Sequence, residues 1–270
     1  MNRTIRYPLI SLVFLALVSW TQAPEPIKPL VYKVEFSGKF FTTDNLGNLF
    51  LVTRDNSIVK YDQTGAVKAR VNFKIYGEIS QLDVSNPFEI YAYYRDQQTV
   101  LILDNLLSLH STISLNGVST GEISSACRSF DNGLWYFDAG NMKLRKTDKS
   151  LNTKQEGLPF ATWTNLVWNP KQMLDNEKYL FVNDSSQGIA VFDVFANYFK
   201  TIPITGINDF QVKKNEVYFY QDSLLQRYNF NYRRYDTLLY QPGCKNLRID
   251  AGNLFRWQND TMYVEPFINY

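Results

Sequence analysis

The stretch LFLVTRDNSIVKYD, residues 49–62, decides the fold. Its first half alternates bulky apolar residues with little else, a polar Arg-Asp-Asn turn interrupts it, and a second β-rich run ends on Asp62. Apolar alternation on either side of a short polar turn is the signature of a β-hairpin. The same pattern recurs five more times: IYAYYRDQQTVLILD at 90–104, LWYFDAGNMKLRKTD at 134–148, LFVNDSSQGIAVFD at 180–193, VYFYQDSLLQRYN at 217–229 and LFRWQNDTMYVEP at 254–266. Successive copies end about 36 to 45 residues apart, the period of a four-stranded propeller blade.

Each hairpin has flanking elements. A short strand with a polar turn precedes it, as in FFTTDNLGN at 40–48, CRSFDNG at 127–133 and NLRIDAGN at 246–253. Asp and Gly at these turns supply local hydrogen bonding and positive φ. In the fourth copy TNLVWNP at 164–170 reads as this strand, with KQMLDNE after it as an insertion. A further strand follows most hairpins: VKARVNF at 67–73, HSTISL at 110–115, YFKTIPI at 198–204 and YDTLLY at 235–240; SLNTKQEGL after Asp148 alternates poorly. The units therefore read as strands A, B, C and D, and no amphipathic helix is evident. The last unit lacks a D strand, while LVYKVEF at 30–36 is a strand without a hairpin. Placing it as the outer strand of the last blade closes the ring and covers an edge. The expected fold is all-β, a six-bladed propeller of four-stranded antiparallel blades over residues 30–270.

Composition agrees. The chain has 270 residues, 45% hydrophobic and 16% aromatic, with 18 Tyr and 19 Phe, types that favour strands. Residues 1–23 read as a secretory signal: Arg3 and Arg6, an apolar run from Pro8 to Trp20, and small residues ending at Ala23. That run falls short of the roughly 20 residues that span a bilayer. Pro24 is unfavourable just after the cut, so cleavage after Ser19, or none, stays open. PEPIKP at 24–29 reads as a linker. Export implies the periplasm, an outer-membrane association or the extracellular space. Of 28 basic and 26 acidic residues, the signal holds two basic ones and no acid, so the remainder is formally neutral. There is no basic footprint for nucleic acid, and near-neutrality favours association with protein partners.

The hairpins ending in KYDQTG (60–65), VLILD (100–104) and IAVFD (189–193) resemble exported six-bladed propellers of the NHL and TolB-like type, and more distantly pyrroloquinoline-quinone-repeat propellers. The resemblance covers about residues 30–270 and implies the fold. Functionally it admits envelope-assembly scaffolds, calcium-dependent lactonases and quinoprotein dehydrogenases, because propellers host unrelated activities. The tryptophan-docking motif of the quinoprotein blades is absent, and no Glu-Asn-Asn-Asp calcium set falls in register.

No catalytic constellation emerges. His110 is the single histidine; it opens an outer strand and reads as structural rather than as a general base. Asp62, Asp104, Asp148 and Asp193 read as turn caps. Cys127 and Cys244 fall in opposite units, so no disulfide is expected, and one His with two Cys is too few for a zinc site. Asn183 and Asn259 fit the glycan acceptor pattern. The ending MYVEPFINY also resembles the last strand of an outer-membrane barrel, though the five preceding hairpins favour a propeller strand.

Two functions remain. The first is a non-enzymatic protein-interaction scaffold of the cell envelope. Its partner would bind the face of the B–C and D–A loops, through Arg54, Arg95, Tyr76, Glu78, Glu122, Trp163, Gln187 and Asp222. Arg, Tyr and Trp dominate interface energetics, whereas the opposite face reads as polar turns suited to solvent. The second is a calcium-dependent or small-ligand-binding enzyme at the channel mouth. It would use carboxylates of the A strands: Asp44, Asp83, Asp131 and Asp250.

Overall fold

The structure, a computed structural model, describes residues 30–267 apart from Thr120. The expected signal at 1–23 and linker at 24–29 lie outside the described residues.

Strand β1 (Tyr32–Glu35) comes first and belongs to the last blade. Blade 1 is β2 (Gly38–Thr43), β3 (Leu49–Thr53), β4 (Ser57–Tyr61) and β5 (Val67–Asn72). Blade 2 is β6 (Ile79–Asp83), β7 (Ile90–Tyr94), β8 (Thr99–Leu103) and β9 (Leu109–Ser114). Blade 3 is β10 (Ile123–Arg128), β11 (Leu134–Asp138), β12 (Lys143–Thr147) and β13 (Thr153–Glu156). Blade 4 is β14 (Gln172–Asp175), β15 (Tyr179–Asp184), β16 (Gly188–Asp193) and β17 (Tyr198–Ile202). Blade 5 is β18 (Gln211–Lys213), β19 (Glu216–Gln221), β20 (Leu224–Asn229) and β21 (Arg234–Tyr240). Blade 6 is β22 (Cys244–Asp250), β23 (Asn253–Gln258) and β24 (Thr261–Pro266), completed by β1. The chain is a six-bladed β-propeller. The described residues include no α-helix, only two single-turn 3-10 segments at Lys74–Tyr76 and Phe160–Thr162. No described helix is long and apolar enough to cross a membrane.

The B and C strands of blades 1, 2 and 4 are buried on both faces because each is sandwiched between neighbouring blades, while those of blades 5 and 6 are half-buried on one face. Burial gathers into six clusters, one per blade interface. Between blades 1 and 2, for example, Phe50, Val52 and Ile58 meet Ile90, Ala92 and Leu101. Between blades 3 and 4, Phe160 is buried among Phe137, Trp168 and Phe192. Continuous apolar runs such as IYAYY follow from that two-sided burial.

Ring closure is as expected. β1 runs antiparallel to β24, with Tyr32 opposite Val264 and Glu35 opposite Thr261. Phe36 is buried against Trp257, ring centroids 4.8 Å apart. Tyr32 also packs on blade 1: a Cβ on Gly65 would stand 2.6 Å from its ring, and Gly65 has φ +83, so glycine is required twice over. β1 therefore holds the last blade by pairing and the first by packing.

One strand is misplaced by the sequence reading. The A strand of blade 4 is QMLD at 172–175, within the supposed insertion, and TNLVWNP lies in the connection before it. Trp168 and Pro170 are buried there, and Trp168 joins the core between blades 3 and 4. Only part of that stretch packs: Leu166 and Val167 are exposed.

The aspartates closing the C strands cap turns. Asp62, Asp104, Asp148 and Asp193 each accept hydrogen bonds from backbone N–H groups two and four residues on. Cys127 is buried in blade 3, Cys244 opens the A strand of blade 6, and both are free. His110 is exposed on β9. Asn183 is buried, its amide donating to Ile207 O at 3.1 Å, so this sequon is closed to a glycan in the folded state. Asn259 is exposed in a turn.

Candidate functional site

The A strands converge on the axis and their C-terminal ends open into a cavity of about 500 Å³. The A–B and C–D turns surround its mouth. Three glutamines of the A strands line it and stitch A strands together. Gln81 exchanges two hydrogen bonds with the backbone of Met173, at 2.7 and 3.2 Å. Gln172 does so with Phe210, at 3.3 and 3.2 Å, and Gln211 with Ile249, at 3.1 and 2.9 Å. A primary amide carries one donor and one acceptor side by side, so it matches a strand's own N–H and C=O.

Three of the four carboxylates expected at the mouth line this cavity: Asp44, Asp83 and Asp250. Asp131 does not. It lines a separate recess and pairs with Lys146 at 2.8 Å. Asp175, which the sequence reading missed, is the fourth carboxylate from an A strand. Each is already engaged. Asp44 accepts from the Leu46 and Asn48 N–H groups and from the Asn48 amide. Asp83 accepts from Ser85 N–H and, across to blade 3, Arg128 N–H at 2.9 Å. Asp175 accepts from Glu177 N–H, Phe130 N–H and Trp135 Nε1 at 2.8, 3.2 and 2.9 Å. Burial pushes its carboxyl up, and these donors oppose that shift. Asp250 accepts from Gln211 at 2.6 Å, Lys213 at 2.8 Å and the Thr43 hydroxyl. Asp209, ahead of β18, is held by Arg248 at 2.6 Å, Asn246 at 2.7 Å and Gln172 at 3.1 Å. Among the described residues no three His, Cys, Asp or Glu groups are grouped to hold a metal ion. Asp83, Asp175, Asp209 and Asp250 act as staples between blades, whereas Asp44 caps its own turn.

The other face carries the expected partner-binding residues, and the structure commits most of them internally. Arg95 pairs with Glu122 and reaches Asn169 at 3.3 Å. Glu78 pairs with Lys39 at 2.8 Å. Tyr76 packs on Tyr94, and Trp163 stacks on Tyr198 with centroids 4.1 Å apart. Arg54 and Asp222 are exposed at their turns, and Gln187 is half-buried.

The face read as solvent-suited differs from that expectation. Its A–B and C–D turns expose large apolar side chains: Leu46, Phe88, Leu106, Phe130, Phe195 and Tyr232. Phe88 is 68% exposed, and Phe130, which lines the cavity, 40%. Each sits in a turn rich in Asp, Asn and Ser, which hid it. An apolar residue at a turn tip, outside any alternating strand, is the signal that finds it.

No family model and no curated protein matches the chain. Among solved structures it is similar to a streptogramin B lyase, at 14% identity and TM-score 0.57, over 86% of this chain and 96% of that one. It is also similar to virginiamycin B lyase from Staphylococcus aureus with quinupristin, at 13% and 0.56, over 84% and 80%. A third is the extracellular domain of a one component system protein from B. thetaiotaomicron, at 14% and 0.54, over 85% of this chain and 33% of that one. At these identities the likeness shows the fold alone.

Proposed function

We infer that the chain is a protein-interaction scaffold of the cell envelope whose partner sits over the channel mouth on blades 1–3. The observation that carries this is the exposure of Phe88 and Phe130 beside a mouth whose carboxylates are already bonded. Large exposed apolar side chains around a concave centre mark interaction sites on soluble proteins. The envelope setting rests on the export features of residues 1–23. The test pairs two variants, Phe88→Ser/Phe130→Ser and Arg54→Ala/Arg95→Ala/Trp163→Ala. A partner recovered from an envelope extract is purified and its affinity for each measured. Loss with the first variant alone supports the mouth. Loss with the second alone moves the interface to the opposite face, and loss with neither refutes both.

The cavity volume favours a second reading, a small-ligand or calcium-dependent enzyme, because about 500 Å³ lies within the range of small-molecule sites. A rise of several degrees in melting temperature on adding millimolar calcium supports that reading. No shift counts against it.

A further inference from the structure

The corner of the ring where blade 4 meets blade 5 has a different chemistry from the rest of the turn face. Four cations come from four separate segments: Lys178 from the A–B turn of blade 4, Lys200 from β17, Lys214 from the A–B turn of blade 5, and Arg233 from its C–D turn. Among the described residues none of the four forms an ion pair. The carboxylates nearby are otherwise engaged or few. Asp236 and Glu216 serve Arg227 and Arg234, Asp193 caps its own turn, and Glu177 is adjacent to Lys178 in the chain.

Aromatic rings lie among these cations. The Lys200 ammonium is 4.8 Å from the Phe230 ring and 5.5 Å from that of Phe199. Tyr179 stacks on Phe199 at 5.5 Å, with the Lys178 ammonium 5.3 Å from its ring. Burial first, and then the charge of Arg233, push the Lys200 ammonium pKa down. Two like charges thus face each other. Phe199 is 54% exposed and Tyr232, in the same turn as Arg233, 81%. The turns of blades 1–3 carry the opposite sign, with Asp62, Glu89, Asp104, Asp131 and Asp148 against Lys149.

We propose that this corner docks the protein on an anionic bilayer, with the exposed Lys178, Lys214 and Arg233 taking lipid phosphates, Lys200 adding its charge from beneath while it donates to Phe230 O, and Phe199 and Tyr232 entering the headgroup layer. Unpaired cations on flexible stems suit a fluid layer of phosphates, and aromatic rings are at home at that boundary. A soluble anion would need convergent buried donors, whereas these cations are spread over four segments. Blade 2 lies opposite blade 5, so Phe88 stays clear of the membrane. The docking does not depend on a protein partner at the mouth.

The full chain is sedimented with phosphatidylcholine vesicles, with or without about one-third phosphatidylglycerol. Binding is expected with the anionic vesicles, weakening as salt rises, and little with the neutral ones. Each cation removed should cost about fivefold in partitioning. Lys178→Glu/Lys214→Glu/Arg233→Glu should therefore lose binding while keeping the wild-type melting temperature. Lys33→Glu/Lys74→Glu/Lys171→Glu, with the same change in net charge elsewhere, should keep it. Phe199→Ser/Tyr232→Ser should lose the part that survives high salt. Equal binding to both vesicles, binding to neither, or equal loss in both charge variants overturns the docking. So does a corner variant that loses a purified protein partner while still binding vesicles.

Discussion

Thr43 and Asp250, 207 residues apart in the chain, meet across the seam between the first blade and the last: the Thr43 hydroxyl donates to the Asp250 carboxylate. The same carboxylate takes Gln211 and Lys213 of blade 5, so one side chain ties three blades. Asp250→Ala should leave those donors poorly partnered and cost about 2 kcal/mol. In a domain of this size that is a fall of about 4–8 °C in melting temperature. Asp250→Asn, which keeps an acceptor but loses the charge, should cost less. Thermal melts of the two variants check the order, and an unchanged Asp250→Ala would mean the staple carries no stability.

Closure by β1 gives a second expectation. Phe36 is 2% exposed against Trp257, so Phe36→Ala should cost about 3–5 kcal/mol. Deleting residues 30–36 should cost more, since it also exposes the edge of β24. Denaturant unfolding measures both. A truncated protein as stable as the intact one would show that the ring does not need its closing strand.

Acid should act through the turn caps. The Asp148 carboxyl is lowered to about 2 by its bonds with Asn152, and Asp62 is lowered too, first by Lys68 and Thr64. A carboxylate whose folded pKa is depressed contributes stability above its unfolded value, and that stability is lost as pH falls through the folded value. Stability should therefore drop as pH falls from about 4 toward 2, and Asp148→Asn should flatten the slope. Asp175 works the other way: burial raises its carboxyl, so its ionisation costs stability as pH rises. Melts across that range, wild type against Asp148→Asn, read the effect.

Thiol chemistry separates the two cysteines. Burial pushes both thiols up, Cys127 well above its ordinary value, so the reactive thiolate is scarce. Two thiols should titrate in the unreduced, denatured protein. In the native protein Cys244 should react first and Cys127 only at the rate of unfolding. Fewer than two thiols after denaturation would mean a bridge.

The hairpins were legible because two-sided burial writes itself as unbroken apolar runs, and their turns as Asp, Asn and Gly. β14 was not, because four residues of QMLD carry less strand character than TNLVWNP, whose Trp168 serves the core around Phe160 while Leu166 and Val167 are exposed. That error also hid Asp175. The glutamine clamps left a trace that a residue-type search passes over, Gln in three of six A strands. That the turn face would expose Phe88 and Phe130 was illegible for another reason. Phe88 and Phe130 stand in sequences whose neighbours make good turns, and turn chemistry says nothing of what a tip presents to solvent.

Pairing between the first and last described strands also sets an order of events in time. A ribosome releases Tyr32 long before Val264, its partner in the sheet. Until then β1 has no strand to join, and Phe36 lacks Trp257 and Tyr32 lacks Val264, while five blades can already stack. The nascent chain is thus an open arc with an adhesive leading end, vulnerable to pairing with another copy. Synthesis of the final hairpin converts that arc into a closed body in one step. Unfolding should retrace the path, with the β1–β24 seam parting before any blade interface.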